Sequence, residues 1–189
     1  MKDSAHELRV IHVRALAQDA GQVAGAWPQS ALPRLTEGLF VPPAESELVH
    51  WSAQASLRAQ AGLAAQIWLH LKAAGSVSLQ CQRCLQAVTV RLDVDRHYRF
   101  VHSEEEAERL DEVSEEEILV LTPRLDLQEL VEDELILSLP LVPRHVGLCP
   151  VPLPLPVDDL SDESPKPNPF AALAALRKSG GGPGGPGVH

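Results

Sequence analysis

Cys81 and Cys84 stand two residues apart in the stretch SLQCQRCLQAV, and they are two of only three cysteines in the chain. Two thiolates at this spacing on a tight turn can face one ion, which is half of a zinc site. The other half needs two more ligands. The third cysteine, Cys149, lies four residues after His145 in PRHVGLCP. Cys81, Cys84, His145 and Cys149 therefore form a candidate Cys3His set for a structural zinc, because thiolate and imidazole suit zinc better than harder metals. A second reading stays open: Cys81 continues a buried apolar face and Cys84 is a turn residue, both inert. A redox pair is disfavoured. It needs the motif at a helix start after a strand, and here alternating sequence flanks the motif on both sides.

Basic residues gather just after the cysteines. Arg83, Arg91, Arg96 and Arg99 are interleaved with His97, Tyr98, Phe100 and His102. Arginines and aromatics on a β surface can hold phosphates and stack bases, which makes these four arginines candidate RNA contacts. Exposed arginines on an antiparallel sheet are also ordinary. For catalysis the chain offers no G-x-S-x-G, no G-x4-G-K-[ST], no H-E-x-x-H and no G-x-G-x-x-G. Its eight histidines are scattered. The expectation is a protein that is not an enzyme.

The elements that must position these residues follow from periodicity. Val49, Trp51, Ala53, Ala55, Leu57 and Ala59 alternate with polar residues, the period of a half-buried strand. Gly62 breaks it, Ile67 to Ala73 alternate again, and a turn is expected at Gly75. Val77, Leu79 and Cys81 then share one face, and Val88 to Val94 another. Four strands within 48–101 most simply form an antiparallel meander, curled towards a partial barrel. Residues 8–40 read as short helices and loop. Residues 103–117 carry nine acidic side chains and one arginine, Arg109, and read as an exposed loop or solvated helix. EILVL at 117–121 reads as a short strand.

A helix is expected over 126–138, capped by Asp126, with Leu127, Leu130, Val131, Glu134 and Leu135 on one stripe, widened by Ile136 and Leu137. Glu129, Glu132 and Asp133 fall outside that stripe and are expected in solvent. The fold class is α+β: a twisted antiparallel sheet or partial barrel with one amphipathic helix on it. A core domain over 1–145 precedes an acidic, proline-rich tail over 146–189. Asn168 and Pro169 open a short tail helix over 169–178. Phe170, Leu173 and Leu176 are its candidate docking residues, and a glycine-rich end follows.

The chain has 189 residues and a net charge of −10, unevenly placed. Residues 1–102 hold ten lysines and arginines against eight acids, and residues 103–189 hold six against eighteen. Overall acidity argues against a strong stand-alone phosphate binder, while leaving room for a local basic face. The acidic half is solvated surface or a docking face for a basic partner. No apolar run approaches the roughly 18–20 residues that span a bilayer, and no signal region opens the sequence, so a cytoplasmic protein without membrane or DNA partners is expected.

Three stretches together resemble one family. LQCQRCLQAV is similar to its C-x-R-C signature, LVEDELILSLPLVPRH to its acidic helix with a Leu-Pro stop, and PKPNPFAALAALRK to its near-terminal Asn-Pro-Phe helix. The family is YceD, the large ribosomal RNA subunit accumulation proteins of bacteria, and the resemblance covers about residues 45 to 178. It implies a noncatalytic role in the synthesis, processing or stability of 23S ribosomal RNA. The partner is then precursor or mature 23S RNA, reached directly or through a ribosome-assembly protein. Many relatives carry C-x-G-L-C-P-x-C-G in the second half of the site. Here His145 and Pro152 replace two of those cysteines, so His145 takes the place of a thiolate.

Overall fold

The structure, a computed structural model, describes residues 8–114 and 116–151. The expected tail helix over 169–178, with Phe170, Leu173 and Leu176, lies outside the described residues, as does most of the expected tail.

The elements run β1 (Val10–Ile11), α1 (Val13–Gln18), β2 (Gln22–Pro28), a short 3-10 turn, α2 (Pro33–Glu37), β3 (Leu48–Gln60), β4 (Leu63–Gln80), β5 (Ala87–Val101), α3 (Glu104–Asp111), β6 (Glu117–Val120), β7 (Leu125–Asp126) and α4 (Leu127–Leu137). The main sheet has the order β2-β3-β4-β5-β6, and β1 pairs β7 in a two-stranded ribbon. The class is α+β. The β2 to β5 pairings are antiparallel, and β6 joins β5 in parallel. The meander expected over 48–101 is present with three strands rather than four, because the second and third expected strands are one, and it is extended by one strand on each side.

Three local expectations are corrected. Gly75 is not a turn: β4 runs unbroken through it for 18 residues. A Cβ at Gly75 would come within 3.2 Å of the Val49 side chain, so the glycine serves close packing between strands. The region 8–40, read as helices and loop, contributes β2 to the sheet edge. Val23 and Trp27 pair with Ala53 and Val49, and Trp27 stacks on Trp51 with ring centroids 4.5 Å apart. Tyr98 and Phe100 are not interleaved with the arginines on one surface. Strand alternation turns them into the core, 2% and 5% exposed.

The core lies on one face of the sheet. Val49, Trp51, Ala53 and Ala55 of β3, Leu69, Leu71 and Val77 of β4, and Leu92 and Val94 of β5 meet α1 and α4 there. Asp126 caps α4 by accepting the Glu129 amide at 3.0 Å. Leu127, Val131 and Leu135 are fully buried, while Leu137 turns out to solvent at 73% exposure, so the stripe is narrower than expected.

Glu132 corrects a further expectation, because it is buried rather than solvated. The first amides of α2 have no side-chain cap of their own. The Glu132 carboxylate accepts from the amides of Arg34 at 2.8 Å and Leu35 at 3.1 Å, and from Arg34 Nε at 3.1 Å. A carboxylate from α4 thus does for α2 what an N-cap residue does locally. Glu134, also buried, accepts from Tyr98 Oη at 2.6 Å and Arg96 Nε at 3.2 Å. Burial first, then the bond to Glu134, pushes the Tyr98 phenol well above its usual pKa.

Replacing Glu132 by alanine leaves the buried Leu35 amide, the half-buried Arg34 amide and the Arg34 guanidinium without their acceptor. The expected cost is about 2–3 kcal/mol, read as a lowered urea midpoint at unchanged m. Glu132→Gln, which keeps an acceptor oxygen, loses less. Equal losses for the two variants would show that the capping geometry is not what matters.

Candidate functional site

The turn between β4 and β5 is tight. The Cys81 amide donates to Gln86 O at 2.9 Å, and Cys81 O accepts the Leu85 amide at 2.9 Å. Leu85 adopts a left-handed φ of 60°, a conformation that disfavours a branched side chain. The turn therefore holds Cys81 and Cys84 on the same side, both buried.

From the far side comes the segment after α4. The amide of Gln82 donates to Pro143 O at 2.9 Å, and His145 Nε2 sits 3.1 Å from Ala87 O. Arg83 donates to Gly147 O and, at 2.9 Å, to Cys149 Sγ. These contacts bring Cys81, Cys84, His145 and Cys149 together, with one ligand atom from each within 4.8 Å of all the others. Cys81 Sγ and Cys149 Sγ are 3.9 Å apart, and Cys84 Sγ is 3.5 Å from His145 Nδ1.

Those separations fit one tetrahedral ion. Zinc bonds of about 2.3 Å to sulfur and about 2.0–2.1 Å to nitrogen give tetrahedral edges of roughly 3.8 Å between sulfurs and roughly 3.5 Å between sulfur and nitrogen. The outer contacts fit too. A His145 Nε2–H donated to the Ala87 carbonyl leaves the Nδ1 lone pair aimed at the sulfurs, and the Arg83 guanidinium bonds one sulfur from outside. Burial opposes ionisation of Cys81. Bonds from the backbone of Cys84, Arg83 and His145, and from the His145 ring, nonetheless pull its pKa down to about 5. Cys84 is pushed up, first by burial and then by the neighbouring sulfurs. Sulfurs crowded in this way are the arrangement a cation relieves.

The four arginines do not form one patch. Arg83 is on the turn beside Cys149. Arg91 faces away from the core and grips Asp93 through two bonds of 2.7 and 3.0 Å. Arg96 points to the core side and meets Glu134. Arg99 is on the outer face opposite Trp68, only 18% exposed, with Nη1 3.7 Å from Glu116. Sequence reasoning passed over Arg144, one residue before the histidine ligand. Nothing in its type or spacing distinguishes it until the chain folds.

A second cluster lies on the sheet face opposite the core. His70 and His97, cross-strand partners, stack at 4.0 Å with planes 10° apart. Asp95 bonds His70 at 2.6 Å and Lys72 at 3.0 Å. The bond to His70 first, and that to Lys72 next, lower the Asp95 pKa to about 2. One ligand atom from each of His70, Asp95 and His97 lies within 4.8 Å of the others, and the close contacts present are the ion pairs of Asp95 with His70 and Lys72. Beside it, the Arg58 guanidinium lies 3.8 Å over the Trp68 ring.

Fold and site together define a class: an α+β module whose sheet turn and post-helix segment converge on a Cys3His cluster. The family model described as large ribosomal RNA subunit accumulation protein YceD matches residues 69–177. That is more than half of the chain, and the chain belongs to the YceD family. It is 39% identical over 105 residues to the large ribosomal RNA subunit accumulation protein YceD of Haemophilus influenzae, an alignment covering 54% of this chain and 60% of the relative. The chain thus spans about three fifths of that curated relative's length. No solved structure matches. The matched segment contains all four cluster residues and begins within β4.

His97 titrates below its ordinary value, first through partial burial of its ring and then through repulsion by His70 and Arg58. Asp95 opposes the shift. A histidine with a depressed folded pKa resists protonation in the native state, so stability is intact above about pH 6.5 and falls as pH drops below it. His97→Gln should therefore flatten the decline of Tm between pH 7 and 5. A decline identical to wild type would contradict this account of the pair.

Proposed function

We propose that this chain is a noncatalytic factor in the accumulation of 23S ribosomal RNA, and thus of the large ribosomal subunit, acting in the cytoplasm by binding precursor or mature RNA. The observation that supports this most is family membership through a segment that contains the whole cysteine-histidine cluster. In this reading the cluster holds a structural zinc. Four protein ligands fill a tetrahedral shell and leave no position for a reacting water, so the metal ties the β4–β5 turn to the segment after α4 and does no chemistry.

A second reading has its own support. All three residues in the first turn of α3 are acidic, and no residue of that helix is buried. Such a face suits a basic ribosomal or assembly protein, with the effect on RNA then indirect.

Depleting the protein from its host should lower the ratio of 23S to 16S RNA, and restoring the wild-type chain should return it. An unchanged ratio on full depletion would overturn the proposed function under either reading.

Protein purified without chelator should contain one zinc per chain. A cross-link closing the 61-residue separation between Cys84 and His145 removes about 4 kcal/mol of chain entropy from the unfolded state. Stripping the metal, or Cys84→Ala, should accordingly lower Tm by about 10 °C. A zinc content well below one per chain, with Tm indifferent to chelator, would rule out the metal clasp.

A further inference from the structure

Between β5 and the segment after α4 lies a cavity of about 610 Å³. Three arginines, Arg83, Arg91 and Arg144, and the cluster histidine His145 line it, and no acidic side chain does. On a chain of net charge −10 that lining is a marked local reversal of sign. Apart from Thr89, the rest of the wall is apolar or backbone, with Val142 and Val146 both exposed.

We propose that this cleft is the surface on which the protein holds RNA, with the guanidiniums on phosphates and the valine-lined wall against ribose and base. The proposal rests on the RNA-binding reading of the function and deepens it. Three observations carry it. First, guanidinium nitrogens are available in the cleft, although Arg91 is already ion-paired to Asp93. Among the described residues Arg144 has no ion-pair partner, and Arg83 uses only Nε and one terminal nitrogen on Cys149 and Gly147. Arg91 is held by Asp93 on one side, which orients its guanidinium while leaving its remaining nitrogen unbonded. Guanidinium groups held in this way suit phosphate geometry, and their orientation is settled before any ligand arrives.

Second, three of the other arginines are engaged elsewhere. Arg96 serves buried Glu134, Arg34 serves Glu132 and Asp133, and Arg58 covers Trp68. Third, β6 pairs β5 only from Tyr98 onward, so the edge of β5 at Thr89–Arg91 has no strand beside it among the described residues. Chain from Pro140 to Gly147 flanks that edge instead and leaves the gap that forms the cleft. This flanking segment is the one that carries His145 and leads to Cys149. The cluster segment therefore builds one wall of the cleft, and a metal bound there would hold that wall in place.

The test is the affinity of the full chain for a fluorescein-labelled 23S RNA transcript, measured by anisotropy across a salt series. Arg91→Gln and Arg144→Gln should each weaken binding about 3- to 10-fold and reduce the slope of log K against log salt by about 1. Arg109→Gln on the acidic helix α3 makes the same change in charge outside the cleft and should leave binding within twofold of wild type. Circular dichroism and Tm of each variant verify the fold. Wild-type affinity in both cleft variants, or a loss equalled by Arg109→Gln, overturns the cleft while leaving RNA binding in place. A wild-type chain that retains no transcript at low salt overturns the cleft together with the direct-binding reading beneath it.

Discussion

Three sulfurs and one imidazole nitrogen, drawn from two segments some sixty residues apart, share a space in which every pair lies within 4.8 Å. The rest of this site depends on that convergence. Among the described residues after α4, 138–151, the chain forms no helix or strand, and Pro140, Pro143 and Pro150 disfavour both. Its course is set by contacts with the β4–β5 turn: the Gln82 amide on Pro143, Arg83 on Gly147 and His145 against Ala87. Each of these bonds alone stabilises by only about 1 kcal/mol. The cluster concentrates them at one point, and a bound ion would convert a weakly held segment into part of the domain.

Charge is sorted around this centre in a way that the net value conceals. Two acids of α4 are spent inside the fold, Glu132 on the start of α2 and Glu134 on Tyr98 and Arg96. Those of α3 stand in solvent. The charged side chains that line the cleft beside the cluster are all arginines. Under the proposed RNA-binding reading, the acidic remainder of the surface would repel nucleic acid while this cleft would attract it. That arrangement selects a binding geometry at the expense of general affinity.

Much of this was legible in the sequence. The period-two pattern of β3 and β4, the Asp126 cap and the Cys3His set all depend on local spacing or on a shared ligand chemistry. What escaped depends on tertiary placement. Gly75 carries the composition of a turn, yet it is needed where the Val49 side chain presses on β4. The Gln22–Pro28 strand lacks strong alternation and exists because β3 offers it an edge. Glu132 belongs by helical periodicity to the wet face, and α2 covers that face with its unpaired amides. The four arginines share a neighbourhood in sequence. Strand alternation and their separate carboxylate partners scatter them, leaving Arg83 and Arg91 to be joined by Arg144.

The most direct test of this account is zinc-edge X-ray absorption on protein purified without chelator. It should report three sulfurs at about 2.3 Å and one nitrogen at about 2.0–2.1 Å around a single zinc per chain. A shell of nitrogen and oxygen alone, or no bound zinc, would contradict the claim that Cys81, Cys84, His145 and Cys149 close on one ion.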